Sequence, residues 1–400
     1  MPSEKKIPFF LVNRYLRKGS KWKLFLIVGL MAVAFINLIF VTSLFNGIIE
    51  MSNNQIINTY IGNILVRPEK NNDFIKEAEE KVSLIEKTKE VQAVSLQFLV
   101  SGNLEYNGIK GNWQILAVDP EKESKVTNIS EKIIEGSYLQ KEDKEGIIIG
   151  RQITGGKDVE MDIFSLKDVK VGDTVNFILN GKKEEFIVRG IFYTKFIDAD
   201  QRAFITRAAL ERMFSDQFNN EASNIIIKTE KGQEEFVIES LKSQGMKENF
   251  YTWEEVAGLM KTVNESFLSI NILLSTVGVV IAAFTIFIVI YIDINNKRKQ
   301  IGILRAIGIK PYLIDFLYIM QTVVYSCFGV ILGAIIFFGV IVPYFNANPF
   351  VLPIGDARLL VDCADFIFRM EIIIFTAMLS GLVPSVLVTR MKILDAIWGK

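Results

Sequence analysis

Histidine does not occur among the 400 residues, and cysteine occurs twice, as Cys327 and Cys363. The commonest metal ligand and the commonest general base are therefore missing. Neither cysteine falls in the polar stretch from about residue 51 to residue 264, so that stretch holds neither a disulfide framework nor a thiolate zinc site. Both cysteines read as small apolar fillers. There is no nucleophile elbow, no phosphate loop and no set of carboxylates at metal-ligand spacing. Gly146, Gly150, Gly155 and Gly156 read as turns. The polar-aromatic stretch YTKFIDAD, residues 193–200, suits either a wall facing a ligand or a surface loop. This inventory fits binding rather than catalysis, and no cofactor or metal is expected.

The remaining chemical cluster is cationic: Lys297, Arg298, Lys299, Arg305 and Lys310 crowd one short segment between two apolar runs. Overall the chain balances Lys+Arg 45 against Asp+Glu 45, which lacks the basic excess of a nucleic-acid partner. Half of the residues are apolar, and they are concentrated in long uncharged stretches near the start and in the last third.

A helix needs about 20 apolar residues to cross the hydrocarbon core of a bilayer. Residues 24–46, 266–292, 316–342 and 372–389 are long and apolar enough, which predicts four membrane spans. A cleaved signal peptide is the competing reading of the first. That run is too long for a signal core, and no small-residue cleavage site follows it. Basic residues in short loops set the orientation. They gather in residues 1–23, 293–315 and 390–400, whereas the loop 343–371 carries Asp356, Asp362, Asp365 and Glu371. Both termini are then cytoplasmic, and residues 47–265 form a domain outside the cytoplasm. Phe9, Phe10, Asn13, Leu16 and Arg17 give the N-terminal stretch either an amphipathic helix lying in the lipid interface or a plain basic flank.

The outer domain mixes strand and helix patterns. Strands are expected at 63–67, 94–100, 113–118 and 146–149, and a hairpin at 173–192 turning at Asn180-Gly181. A helix is expected over 73–88, where Phe74, Ala78, Val82 and Ile85 share a face. Strand-then-helix units follow at 202–214 and 223–244. The second resembles the unit at 63–88, which suggests two related α+β halves around a β-rich insert. Within the four spans no Asp, Glu, Lys or Arg occurs, which argues against an ion-driven transporter. Asn37, Ser269, Asn271, Ser275 and Thr276 read as inter-helix hydrogen bonders. Gly329 and Gly333 permit close helix packing, within one chain or across a dimer.

Residues 296–310 read NKRKQIGILRAIGIK. This segment resembles the cytoplasmic signature of FtsX-like ABC transporter permeases: Ile301, Gly302, Leu304, Arg305, Ala306, Ile307 and Gly308 match, while Gln300 stands where the family usually has glutamate. Pro384 and residues 393–397 resemble the family's closing element, with Leu394 replacing a second proline. NRYLR at 13–17 and VTSLFNG at 41–47 resemble the opening of Lol-type lipoprotein-releasing permeases. Residues 136–139, 146–150, 171–173 and 188–191 resemble the MacB-type periplasmic core domain.

The resemblance implies an α-helical integral membrane protein with four transmembrane helices. A large α+β extracytoplasmic domain, a MacB-type periplasmic core, would lie between helices 1 and 2. It implies a non-catalytic permease that binds a separate ABC-type ATP-binding subunit and pairs with a second permease copy or a related permease. ATP-driven closure would pass through the spans to move the outer domains, a mechanotransmission that exports or extracts a lipoprotein, lipid, peptide or drug. Membrane lipids and a periplasmic or extracellular acceptor protein complete the expected partners. Residues 293–315 would be the coupling loop. Arg298, Ile301, Gly302, Leu304, Arg305, Ala306 and Gly308 would dock the ATPase, with Gly302 and Gly308 allowing close backbone approach. The alternative is that the basic residues only fix topology. Two other functions stay open: an FtsX-like signalling protein whose moving outer domain regulates an enzyme, and a membrane-anchored enzyme.

Overall fold

The computed structural model describes residues 21–70, 72–156, 159, 164–179, 181–214, 220–352 and 354–391. The N-terminal amphipathic stretch through Arg17, the NRYLR segment, Asn180 and the closing element at 393–397 lie outside these residues. The chain forms two compact units. One is helical, within Met1–Glu50, Glu265–Phe350 and Ala357–Lys400; the other is an α+β unit of Met51–Asn264 with Val351–Asp356.

Helix α1, Lys21–Ile56, continues into a π-helical turn, Ile57–Ile61. The α+β unit then follows in chain order. Its strands are β1 (Ile64–Arg67), β2 (Ile75–Lys76), β3 (Val91–Tyr106), β4 (Ile109–Val118), β5 (Ile133–Gly136) and β6 (Gly146–Gly150). The series continues with β7 (Thr174–Leu179), β8 (Lys182–Phe192), β9 (Arg202–Thr206), β10 (Glu221–Ala222), β11 (Asn224–Thr229) and β12 (Asn249–Thr252). Its principal helices are α2 (Ala78–Glu86), α3 (Pro120–Val126), α4 (Arg207–Phe214) and α5 (Glu234–Ser243).

Ten of these strands form one sheet in the order β12-β1-β11-β3-β4-β9-β6-β8-β5, with β7 pairing both β3 and β8. That last pairing closes a ring through β3, β4, β9, β6, β8 and β7. The long β3 makes this closure because it pairs with β11 at one end and with β7 at Asn103–Glu105 near the other. Side chains alternate across the ring, as strand geometry requires. Ile147, Ile149, Ala203, Ile205, Ile115 and Ala117 point into one core, while Ile148, Phe204, Leu116 and Val118 point into another on the opposite face. Beyond the ring, β1 and β11 are buried on both faces, so ILV and III read as continuous apolar runs. Helices α2 and α5 cover one of those faces with Val82, Ile85, Val237 and Leu241.

Three expectations change here. The unit at 63–88 and the unit at 223–244 do not head separate halves: β1 and β11 are antiparallel neighbours and their helices share one core. The helix expected from residue 73 begins only at Ala78, after Glu77 at φ 52. Ahead of it, Ile75 pairs with Ala222 and Phe74 stacks on Phe98 at 5.1 Å; tertiary pairing outweighs the helical spacing of Phe74. Gly146 and Gly150 are the ends of strand β6 rather than turns, whereas Gly155 and Gly156 have the positive φ of turn residues.

The helical unit adds α6 (Leu259–Asn296), α7 (Arg298–Ala306), α8 (Pro311–Ile336) and α9 (Cys363–Thr389). A short hairpin, β13 (Phe350–Leu352) and β14 (Gly355–Ala357), lies between α8 and α9. Among the described residues, four helical stretches are long and apolar enough to cross a membrane: Leu24–Ile61, Lys261–Asn296, Pro311–Ala347 and Cys363–Thr389. They pack through small residues, as helices must when lipid leaves no hydrophobic drive between them. A Cβ on Gly329 would stand 2.5 Å from Met31 Cβ, and one on Gly333 3.0 Å from Phe35. The glycine pair therefore seats α8 on α1 of the same chain. Asn37 is exposed on α1, its Oδ1 3.4 Å from the position of a Cβ on Gly278 of α6. The polar residues of α6 mostly bond within that helix: Ser269 to Glu265 O, Thr276 to Ile272 O, and Ser275 to Asn271 Oδ1. An inter-helix bond comes instead from Ser380 Oγ to Ala283 O, at 3.2 Å.

Candidate functional site

Helix α7 carries the sequence RKQIGILRA between two much longer helices. Ile301, only 1% exposed, and Gly302 face inward. Ile301 and the half-buried Leu304 pack in a core with Ile294, Ile314, Leu317 and Tyr318. The other face leaves Ile303 53% and Ile307 71% exposed, beside exposed Lys299 and Ala306. Residues four apart lie one above the other on a helix. Two isoleucines one turn apart thus form an apolar ridge with a cation at one end.

The end of α7 is fixed by backbone geometry. Ile309 N donates to Leu304 O and Gly308 N donates to Arg305 O, each at 3.1 Å. This is the paired-bond cap that terminates helices at a left-handed residue, and Gly308 sits at φ +95 with nothing within 4 Å of where a Cβ would stand. The apolar contact that goes with such a cap is also present, since Leu304 and Ile309 join the same core. Gly308 is therefore needed for its φ, and the structure supplies no close backbone neighbour for it within the described chain. Arg305 turns away from the ridge and donates to the backbone carbonyl of Met391 past the end of α9.

Polar residues just outside the expected spans tie the neighbouring helices together. Asp293 of α6 is 9% exposed; it accepts from Lys297 at 2.7 Å and from Gln321 of α8 at 3.3 Å. Gln321 also donates to the hydroxyl of Tyr325. Asp315 of α8 accepts from Ser385 and Thr389 of α9, both at 2.8 Å. These bonds link α6 to α8, α8 to α9 and, through Arg305, α7 to α9. Buried polar groups left unpaired would each cost about 1–3 kcal/mol, so such a network strongly resists rearrangement.

In the α+β unit the polar burial is different. Glu123, fully buried on α3, accepts from Ser95 at 2.6 Å and from Gln97 at 2.8 Å, and burial holds its carboxyl above the usual range. The 193–200 stretch is not a surface loop: Thr194, Phe196, Ala199 and Asp200 are buried. Asp200 Oδ1 accepts from Thr194 N and Thr194 Oγ1 at 2.8 and 2.9 Å. Its Oδ2 is buried without a partner, and burial pushes the carboxyl up to about 7.

Of the seven residues singled out for docking, Ala306 and Gly308 are exposed, Arg298, Leu304 and Arg305 are half-buried, and Ile301 and Gly302 are buried. The ridge residues Ile303 and Ile307 lie in the same motif. The signal that separates them is register: Ile301 and Ile303 are two residues apart and so fall on different sides of a helix. Asp293 and Asp315 stood one residue outside the expected spans, and a helix longer than its apolar run would have revealed them.

Two family models match the chain. The MacB-like periplasmic core domain matches residues 24–242, and the FtsX-like permease C-terminal region matches residues 272–393. Among curated proteins, an uncharacterized ABC transporter permease of Methanocaldococcus jannaschii is 24% identical over 264 residues, covering 64% of this chain and 63% of that protein. The ABC transporter permease YtrF of Bacillus subtilis is 26% identical over 256 residues, covering 60% and 57%. The putative hemin transport system permease protein HrtB of Staphylococcus haemolyticus is 22% identical over 309 residues, covering 73% and 76%. The aligned region thus spans less than two thirds of the length of the first two relatives. Among solved structures, the periplasmic region of MacB from Actinobacillus actinomycetemcomitans aligns with a TM-score of 0.37 at 15% identity, covering 52% of this chain and 96% of that one. The extracellular domain of YknZ aligns with a TM-score of 0.34 at 16% identity, covering 48% and 97%.

Proposed function

The chain belongs to the FtsX/MacB-type ABC permease family, and from that membership we propose that it is a four-span permease driven by a separate ATP-binding subunit. Both termini are cytoplasmic in this reading, as the basic short loops indicate, and the α+β unit is extracytoplasmic. The ATP-binding subunit docks on the Ile303–Ile307 ridge of α7, with Lys299 and Ala306 at its flank. One observation carries this reading: α7 and its C-cap expose two isoleucines one turn apart, Ile303 and Ile307, in a short basic segment between the apolar helices. Exposed apolar side chains grouped on one face mark contact surfaces.

Because Arg305 bonds α7 to the end of α9, while Asp293 ties α6 to α8 and Asp315 ties α8 to α9, a push on the ridge moves the ends of three spans together. The spans themselves offer no charged pathway for conduction, which suits transmission of movement. The permease works as a pair, with a second copy or a related chain, and acts on a lipoprotein, lipid, peptide or drug at the outer face. HrtB, named as a putative hemin transport system permease, makes a small amphipathic molecule a further candidate.

The test is purification of the tagged chain from its native membrane in mild detergent, with ATP hydrolysis measured on the eluate. The reading predicts a stoichiometric ATP-binding subunit and measurable ATPase activity. A chain that elutes alone and inactive contradicts it.

A further inference from the structure

The stretch at 193–202 lies in the α+β unit, apart in sequence from the α7 ridge, and is fastened by several separate contacts. Three sets of contacts converge on it. The first comes from the π-helical turn that continues α1. Tyr60 is gripped between the guanidinium of Arg202, 3.4 Å from its ring centroid, and the ring of Phe196, which meets it edge-on at 5.7 Å. Arg202 also donates to Tyr60 O at 2.9 Å. The second comes from α1 itself. Gln55 Nε2 donates to Thr194 O at 2.8 Å and to Ile354 O at 3.3 Å, so one amide spans two segments. The third comes from the hairpin strand β14, where Lys195 Nζ pairs with Asp356 of the same unit at 2.7 Å. Two local features hold the segment in shape. Asp200 braces the turn through both donors of Thr194, presenting Lys195 at φ 66. Gly355, at φ +140, leaves room for Met51 and Gln55, which a Cβ would meet at 2.9 Å.

Chain connectivity gives this convergence its meaning. Tyr60 and Gln55 continue the helix of the first apolar stretch, and residues 351–356 connect the third with the fourth. We propose that residues 194–202 form a joint at which the first span helix and the loop between spans three and four act on one point of the outer domain. The Tyr60–Arg202 stack, the Gln55 bridge and the Lys195–Asp356 pair are its fastenings. The joint deepens the permease reading and rests on it for the source of the motion. A buried cation stacked on an aromatic ring holds strongly. The half-exposed ion pair holds weakly by comparison, so the hairpin side is the one that slips first and the one to perturb.

The experiment uses the full chain in lipid nanodiscs and exchanges the charges of the pair. Without nucleotide, Lys195→Glu and Asp356→Lys each speed hydrogen exchange about threefold in both 193–202 and 351–356, and the double variant restores it. Acceleration confined to the substituted segment, or a double variant no better than the singles, overturns the joint. With the co-purified ATP-binding subunit, ATP plus vanadate changes exchange at 193–202 in the wild type. The single variants lose that change while retaining the subunit and its hydrolysis, and the double variant recovers it. A nucleotide response intact in both single variants also overturns the joint. Absence of an ATP-binding subunit from the wild type contradicts the permease reading instead, and the nucleotide-free comparison still decides whether the fastening exists.

Discussion

Arg305 of α7 donates to the carbonyl of Met391, two residues beyond the last residue of α9. Carbonyls past a helix end have no partner inside the helix, and a guanidinium fills that vacancy with a charge-assisted bond. The arginine that the family motif makes prominent is thus a brace inside the chain. Arg305→Ala is expected to lower stability by about 1.5–3 kcal/mol, and Arg305→Lys to recover only part of that, because an ammonium lacks the planar fork. Thermal unfolding of the detergent-solubilised full chain, followed by tryptophan fluorescence, checks both.

Gly329 and Gly339 make a matched pair for testing the helix contact. A Cβ at Gly329 meets Met31 Cβ at 2.5 Å, whereas one at Gly339 meets nothing within 4 Å. Gly329→Ala should therefore destabilise by about 1–3 kcal/mol, in the range of an overpacked core, and Gly339→Ala should be close to neutral. Because the clash is with the Cβ, which Met31→Ala leaves in place, Met31→Ala combined with Gly329→Ala should show no favourable coupling beyond the sum of the two single losses. Thermal midpoints of the four variants measure this directly.

Gly308 ends α7 at φ +95 in open space. Gly308→Ala should cost about 1 kcal/mol from backbone strain alone, and Gly308→Asn less, since asparagine tolerates the left-handed region. If the cap aligns the ridge for docking, recovery of the ATP-binding subunit should fall in the same order, glycine above asparagine above alanine. Quantitative pull-down across the three chains checks it.

Much of this architecture was legible in the sequence. Uncharged runs announced the four apolar helices, and the alternation of Val175, Phe177, Phe186 and Val188 announced the β7–β8 hairpin. What stayed hidden depends on long-range pairing. The ring closes because β7 meets residues 103–105 of β3, some seventy positions away in the chain, and no local pattern encodes that. The 193–200 stretch read as either a ligand-facing wall or a surface loop, yet Thr194 and Asp200 are buried, with Asp200 Oδ1 accepting from both donors of Thr194. Likewise the family motif at 296–310 was visible as a string, whereas its division into a braced face and an exposed ridge required the helix register.

The Asp200 carboxyl gives the α+β unit a pH dependence of defined sign. Its folded-state value of about 7 lies above the unfolded value for aspartate, so the folded state holds a proton that the unfolded state has released between the two. Stability is then highest below about pH 4 from this group and falls as pH rises, by up to about 1.4 kcal/mol per unit, until pH 7. Asp200→Asn should flatten that slope while keeping the Oδ1 acceptor for Thr194. Urea unfolding of the full chain at pH 5, 6, 7 and 8, read against the variant, tests it.

The central claim is that an ATP-binding subunit sits on the Ile303–Ile307 ridge. It is tested most directly by placing a photo-crosslinking amino acid at Ile307, with Ile301 and Phe236 of the α+β unit as controls, and irradiating native membranes. Ile307 and Phe236 are both exposed, at 71% and 50%, whereas Ile301 is buried. The account predicts one crosslinked product from position 307 whose partner binds ATP, and none of that product from 301 or 236. Equal crosslinking of that partner from position 236, or no ATP-binding partner from 307 in membranes where the chain is functional, would contradict it.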